Sequence, residues 1–469
     1  MISINALPDD VLLAIFGSYI YEVLDPEGSK KRTRAWQSLI HVCRRWRSVV
    51  YGSPRRLDLR LWCSDTTRSR DMLDIWPALP LIINSYEYYS TRGVDNLVAA
   101  LKRSDRVCQI YLMIFETFGL EILLAAMQEP FPELTKLTLC SMGKIDETVV
   151  VPDSFLGGFA PNLGYLKLDG VPFPGLPKLL LSATHIVRLH LFNIPHSGYF
   201  SPDAVAAALA TLTSLEYLSL TFKSPESCPD LETRRLPPLT RSVLPVLTEL
   251  YFKVVSEYLE DLLTDIDAPK LNKLSIEFFN DSVFDTPELI RFISRTPMSS
   301  ALENVHIVLE EGAARVTFRS QKYGYYVGVS IICEGLDWML SSLEQVCSSC
   351  LQFSSVLEDL YIHENTGSEP DWKDNIENRV LWLELLHPFT HVKNLYLSEK
   401  IALRIGPALQ ELVEGRATEV LSTLESIFLE GLESSGRAQE GIGLFVAARQ
   451  STSHPITMSP WTNSEQDMG

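Results

Sequence analysis

The sequence predicts an α/β protein in which a small all-helical head precedes a solenoid of repeated strand and helix units. Three observations predict it: a short apolar pattern recurs down most of the chain, the intervals between its copies carry helical spacing, and the first 54 residues are patterned differently. The 469 residues are 46% hydrophobic and 21% charged, an ordinary globular composition able to bury a large core. That length fits roughly two to four domains or one extended array, so the repeats decide.

Charge divides the chain in the same place. Forty-one Lys and Arg against fifty-nine Asp and Glu give a net charge of -18, which argues against a general basic surface for nucleic acid. Residues 1–70 hold twelve basic and seven acidic side chains, a net of +5, which leaves -23 for the rest. A basic head precedes an acidic body.

In the head, Leu7-Pro8-Asp9-Asp10 opens a helix, because Pro suits the first turn and the two carboxylates meet the positive end of the helix dipole. Val11, Leu12, Ile15 and Phe16 then form one apolar stripe. A second helix is predicted from about Arg34 to Tyr51, with Trp36, Leu39, Ile40, Cys43, Trp46 and Val50 apolar and Arg44, Arg45 and Arg47 between them. Gly52-Ser53-Pro54 stops it. Two such helices are too small to enclose their own apolar surface and need a partner, either the repeats or another protein.

The repeating pattern is apolar-x-x-apolar-x-apolar. It reads LTKLTL at Leu134, LGYLKL at Leu163, IVRLHL at Ile186, LEYLSL at Leu215, LTELYF at Leu247 and LNKLSI at Leu271. LENVHI at Leu302, LEDLYI at Leu357, VKNLYL at Val392 and LESIFL at Leu424 continue it, and weaker copies begin at Arg55, Trp76 and Val107. Most successive starts are 23 to 35 residues apart, near the leucine-rich-repeat period but longer and less regular. Side chains alternate faces along a strand, so the last two apolar residues of each unit point into a core and the residue between them points outward. Each unit must then return to the same edge, and Val94 to Leu101, Pro202 to Leu212, Tyr258 to Ile266 and Pro287 to Ile293 carry the helical spacing for that return. Pro172-Phe173-Pro174-Gly175 and Leu236-Pro237-Pro238 read as connecting loops. Repetition of this unit builds a leucine-rich-repeat-like solenoid with a curved parallel sheet.

One interval breaks the rhythm, since 55 residues separate Leu302 from Leu357. Val316 to Ser320 and Val327 to Ile332 flank Lys322-Tyr323-Gly324-Tyr325 and predict a loop-borne hairpin, an insertion at about 310–335 that either binds a ligand or covers the core. Leu336 to Leu351 follows with helical spacing. Ser451 to Gly469 is polar without a sustained period and reads as a frayed tail. The predicted organisation is thus a head over 1–54, a solenoid over 55–450 and a disordered tail over 451–469.

The head resembles an F-box. That motif opens with Leu-Pro, an acidic pair and Ile-Phe on one helix and closes with Val-Cys-Arg-Arg-Trp on a later one; here the elements read LPDDVLLAIF (Leu7 to Phe16) and VCRRWRSVV (Val42 to Val50). Together with the irregular leucine-rich repeats, the whole chain is similar to the large fungal group of F-box proteins. Gly17 to Thr33, charged and lengthened, with Tyr19, Tyr21 and the run Lys30-Lys31-Arg32, departs from that pattern and weakens contacts inferred for its middle. The resemblance implies a non-catalytic substrate receptor of a Skp-cullin-F-box ubiquitin ligase, with a Skp-type adaptor, and through it a cullin, on the head and an unknown protein target on the repeats. The implied adaptor-binding residues are Leu7, Pro8, Val11, Leu12, Ile15, Phe16, Trp36, Leu39, Val42, Cys43 and Trp46. A head of net +5 suits an acidic adaptor. On the residues alone, Leu7, Leu12, Ile15 and Phe16 would instead pack on the first repeat.

The outward residue of each repeat should line the concave face: Thr138, Lys167, His190, Ser219, Tyr251, Ser275, His306, Tyr361, Tyr396 and Phe428. Lys167, Arg188, His190, Tyr251, His306, Tyr361, Tyr396 and Phe428 are the candidate target-binding residues, because aromatic and cationic side chains on an exposed face are the types that anchor protein interfaces. Lys136, Tyr165, Lys273, Glu249 and Asp359 sit beside them and permit a ligand of mixed charge. Stacking of aromatic residues on neighbouring strands would explain the later rungs equally well.

Catalytic signals are weak. Cys347-x-x-Cys350 lacks the second pair that a zinc site needs, and His185 and His190 have no cysteine nearby. No phosphate-cradling glycine loop and no G-x-S-x-G elbow occurs. Asp9-Asp10, Glu260-Asp261 and Glu310-Glu311 read as solvated acidic pairs. The expectation is therefore a protein without cofactor, metal, nucleic acid or membrane. Asp9 and Asp10 interrupt any signal-peptide core and no apolar run approaches the roughly 20 residues of a membrane span, which predicts a cytoplasmic or nuclear protein. The eight cysteines form no disulfide framework; Cys43, Cys108, Cys140 and Cys333 sit in apolar stretches, and Asn280-Asp281-Ser282 would have no glycosylating compartment. A repeat scaffold or inhibitor without a ligase, and a hydrolase hidden in the irregular units, are the alternatives.

Overall fold

The computed structural model describes residues 4, 7–22, 29–76, 78–86, 91–143, 149–228, 241–279, 286–333, 335–350, 357–365, 378–413, 416–431, 436–451 and 454–461. The chain forms two compact units, Met1–Phe200 and Ser201–Gly469. It is an α/β protein throughout, with helices leading and parallel strands following.

The first unit begins with α1 (Asp9–Glu22), α2 (Ser29–Ile40) and α3 (Arg44–Gly52). The single helix expected from Arg34 to Tyr51 is two helices. Cys43 lies in extended backbone (φ -160°, ψ 170°), and its sulfur accepts the Trp46 backbone N–H at 3.4 Å, so it caps α3 and breaks the helix at 41–43. The third helix solves part of the burial problem. Leu12, Phe16, Trp36, Leu39, Ile40 and Val50 are buried, α1 packs on α2 and α3, and the Phe16 ring lies 4.7 Å from that of Trp46. Arg45 fastens the start of α1, reaching Asp9 at 2.6 Å and the Leu7 carbonyl at 2.5 Å.

The repeats of this unit follow as β1 (Leu61–Cys63), α4 (Ser69–Ile75), β2 (Leu81–Ser85), α5 (Thr91–Leu101), β3 (Val107–Ile114), α6 (Thr117–Ala126), β4 (Lys136–Ser141), β5 (Tyr165–Asp169), α7 (Leu176–Leu180) and β6 (Arg188–Ile194). β1 to β6 pair in chain order and all in parallel. The weak copies at Arg55, Trp76 and Val107 are thus real repeats, whose last apolar residues seed β1, β2 and β3. Trp36 ties the head to the first repeat: its Nε1 donates to the Arg60 carbonyl at 3.3 Å and its ring meets Trp76 edge-on at 5.3 Å.

In the second unit come α8 (Pro202–Leu209), β7 (Tyr217–Phe222), β8 (Ser242–Val243), β9 (Glu249–Val254), α9 (Ser256–Asp265), β10 (Ile266–Asp267), β11 (Lys273–Phe278) and α10 (Pro287–Ser294). They are followed by β12 (Asn304–Glu310), β13 (Ala313–Ser320), β14 (Tyr325–Ile332), α11 (Leu336–Cys350), β15 (Asp359–Glu364), α12 (Asn378–Leu386), β16 (Asn394–Leu397), α13 (Glu399–Gln410), β17 (Ser426–Glu430), α14 (Gly436–Gln450) and β18 (Thr457–Trp461). The sheet order is β7-β9-β11-β14-β13-β12-β15-β16-β17-β18, with β8 and β10 a separate short pair.

Two expectations change here. The hairpin at 310–335 is not borne on a loop. β13 and β14 lie inside the sheet, β14 pairing in parallel with β11, and β13 antiparallel to both β14 and β12. Their alternating buried residues Ala314, Val316, Phe318, Val327, Val329 and Ile331 require a core on one side, which a loop could not supply. The tail is also partly ordered, since β18 extends β17 in parallel from Ser426↔Thr457 to Glu430↔Trp461. The predicted loop at Leu236 to Pro238 lies outside the described residues, as do Asn280 to Ser282.

Candidate functional site

The head residues separate into two sets. Leu12, Phe16, Trp36 and Leu39 are buried, whereas Val11, Ile15, Tyr19 and Val42 are 38%, 41%, 43% and 58% exposed. Val11, Ile15 and Tyr19 are four residues apart and so lie one above the other on α1. Pro8 is exposed beside them, and Leu7, Cys43 and Trp46 are half-buried. Of the eleven expected contact residues, four are therefore spent on the head's own core and its tie to the first repeat. An apolar stripe on so small a unit remains in water.

On the open side of β3 to β6 the registers set rows of side chains. Lys136, Tyr165 and Arg188 follow one another in one row, then Thr138, Lys167 and His190, then Asp169 and Phe192. Thr138, although in the row, is buried. The Lys136 ammonium lies 4.7 Å from the Tyr165 ring centre and Lys167 5.1 Å from that of Phe192. The His190 ring packs against Tyr165 at 5.1 Å and Phe192 at 5.7 Å. Burial first, then Lys167 and Arg188, push its pKa down to about 4, so this imidazole is neutral at pH 7.

The second unit repeats the logic with different chemistry. Tyr251 and Ser275 share a row with Gly328, and through Thr317 with His306, Tyr361, Tyr396 and Phe428. The expected succession from Ser275 to His306 is therefore interrupted by the two inserted strands. Tyr251 is an anchored residue: its hydroxyl donates to Glu277 at 3.0 Å, and Glu277 also takes Lys253 at 2.5 Å. Burial, reinforced by the Glu277 carboxylate, raises its pKa. Ser219 is fully buried.

Four rungs form one stack. His306 and Tyr361 lie 4.3 Å apart at 3°, Tyr361 and Tyr396 4.2 Å apart at 10°, and Tyr396 and Phe428 4.5 Å apart at 9°. In-register parallel strands about 4.8 Å apart bring like side chains face to face, and each pair contributes about 0.5–1.5 kcal/mol beyond its burial. Stacking, foreseen as the alternative explanation of these rungs, is what the rings do. Trp461 leans on the stack, 6.1 Å from Tyr361 and 5.7 Å from Tyr396. It was not among the expected residues, because the polar run around it hides a strand. His306 is held near pKa 3 and His363 near 4, chiefly by burial, with the Arg319 guanidinium adding repulsion in both cases.

Other acidic and cysteine signals resolve structurally. Glu260 accepts the backbone N–H groups of Glu288 and Leu289 at 2.7 and 2.9 Å, which caps α10 rather than facing solvent. Cys140, Cys333 and Cys347 are buried, Cys43 and Cys108 half-buried. Among the described residues no three His, Cys, Asp or Glu side chains could hold a metal ion, and no helix is long and apolar enough to cross a membrane.

No family model matches the chain, and no curated protein matches it. Among solved structures it is similar to the leucine-rich-repeat-containing protein LegL7 from Legionella pneumophila, at 12% identity and a TM-score of 0.25, over 82% of this chain and 97% of that one. The assignment of a strand and helix solenoid to each unit rests on the ladder pairings above.

Proposed function

We propose that this chain is a substrate-receptor subunit of a Skp-cullin-F-box ubiquitin ligase, with the head docking a Skp-type adaptor and the repeats holding a protein target. The observation that carries this reading is the exposed stripe of Val11, Ile15 and Tyr19 on α1, together with exposed Val42 ahead of α3, on a head whose other apolar residues are largely buried. Val11, Ile15 and Val42 fall on the two segments that resemble the F-box, LPDDVLLAIF and VCRRWRSVV, while Tyr19 lies just past the first. A basic head against an acidic adaptor would hasten encounter, while desolvated apolar contacts would supply most of the affinity. The chain contributes positioning, and the chemistry of ubiquitin transfer belongs to other subunits.

The test is capture of a purified Skp-type adaptor by the intact chain and by Val11→Asp/Ile15→Asp. Charges in a desolvated interface should abolish capture while circular dichroism stays native. Phe16 is unsuitable for this purpose, being 1% exposed and packed on Trp46. Failure of well-folded intact protein to bind the adaptor would leave the second reading, a repeat scaffold without a ligase. That reading draws support from the burial of Leu12 and Phe16 and from the seat of Trp36 on the first repeat.

A further inference from the structure

The open face of the first unit gathers positive charge on a unit that is itself close to neutral, with 21 Lys and Arg against 20 Asp and Glu over residues 1–200. The chain carries -18 overall, yet Lys136, Lys167 and Arg188 converge on three successive strands, β4 to β6. Lys136 and Arg188 are exposed, and among the described residues neither has an ion-pair partner. The one carboxylate in the array, Asp169, stands 3.9 Å from Lys167 and already accepts the Asn193 amide at 2.8 Å. Between the cations lie the rings of Tyr165, His190 and Phe192, over which the two lysines are held.

We propose that this face binds an acidic peptide segment of a protein target, its carboxylates meeting Lys136, Lys167 and Arg188 and its intervening side chains lying on the ring floor. The proposal rests on the reading of the repeats as a target-binding surface and names the target's chemistry. The spacing suits a peptide. Lys136 and Arg188 are two strands apart, about 10 Å at ~4.8 Å per strand, and an extended peptide covers that in about three residues at ~3.3 Å each. A nucleic acid is a poorer fit, because its charges continue beyond three cations onto a unit with no net basic surplus to meet them.

Fluorescence anisotropy on the full chain tests it, with a labelled twelve-residue peptide carrying aspartate at every third position and its asparagine counterpart as probes. The aspartate peptide should bind at least about tenfold more tightly, and weaken with added salt. Lys136→Glu/Arg188→Glu should lose at least about tenfold in affinity. The milder Lys136→Gln/Arg188→Gln should also weaken binding, and both variants should capture the adaptor as the native chain does. Equal binding of the two peptides, no binding of either, undiminished binding by a folded variant, or displacement by a single-stranded oligonucleotide at lower concentration would each overturn the proposal. Failure of the native chain to capture the adaptor with peptide binding intact would sink the ligase reading alone; the reverse result would sink this proposal alone.

Discussion

His306 shows what a stacked position asks of a titratable ring. Its ring stacks on Tyr361 with His363 edge-on beside it, and burial first, then the Arg319 and His363 charges, lowers its pKa from 6.5 to about 3. An unfolded chain takes up the proton near pH 6.5 and the folded one does not, so the unfolded state gains protons first on acidification. Stability linked to this group is therefore complete above pH 6.5 and declines as the pH falls toward 3. His306→Phe keeps a ring in the stack and removes the proton site, so its urea midpoint should drop less than the native one between pH 7 and pH 4.5. Equal drops would show that His363 and the carboxylates carry the acid sensitivity.

At the scale of elements, the crossing of α13 and α14 depends on an absent side chain. A Cβ on Gly441 would stand 2.9 Å from the Gly406 carbonyl carbon and 3.1 Å from its oxygen, and backbone cannot give way there. Gly441→Leu should cost about 1–3 kcal/mol in urea unfolding, the usual range for overpacking. Gly443, with nothing within 4 Å, provides the contrast. Gly443→Ala should be neutral or stabilising by up to about 1 kcal/mol, from helix propensity alone.

The elements also show what the sequence can and cannot tell. Each of the ten clear apolar triplets lands on a strand, because a period of two with one buried face leaves little freedom of register. LTKLTL becomes β4 and VKNLYL becomes β16, with Tyr396 facing outward as the pattern requires. Partner choice is another matter: Val316 to Ser320 reads as a strand, but nothing local says that it joins the sheet instead of a loop. The break at Cys43 was hidden because an apolar thiol continues the stripe of the helix, and only its backbone turn makes the sulfur a cap. Exposure in the head was half legible. Val11 and Ile15 look like Leu12 and Phe16 in a list of apolar residues, and only the packing of a third helix separates those facing water. Trp461 escaped because Pro460 and its polar neighbours argue against a strand, although Pro is tolerated at a sheet edge.

For the whole molecule, β18 is the last strand of the second unit's sheet, and its Pro460 offers no N–H at that edge. Without β18, β17 would present unpaired N–H and C=O groups and the stack would lose Trp461. A chain truncated before Thr457 should self-associate more than the full chain, which light scattering across a concentration series would register. An unchanged mass distribution would mean that some other segment covers β17.

The antiparallel strand in the second unit bears on how that unit finds its fold. Parallel neighbours such as Tyr396 and Phe428 meet only after a whole repeat has been threaded between them, and such closures are entropically costly and slow. β12, β13 and β14 need only the turn 311–312 and the turn 321–324, each with a glycine at positive φ, Gly312 at 75° and Gly324 at 67°. Hairpins in general close in about 1–10 μs, faster than contacts that must wait for a whole intervening repeat. Once formed, this meander offers two template edges, β14 to the preceding repeats and β12 to the following ones. An interruption of the repeat rhythm thereby becomes a seed from which the solenoid can grow in both directions.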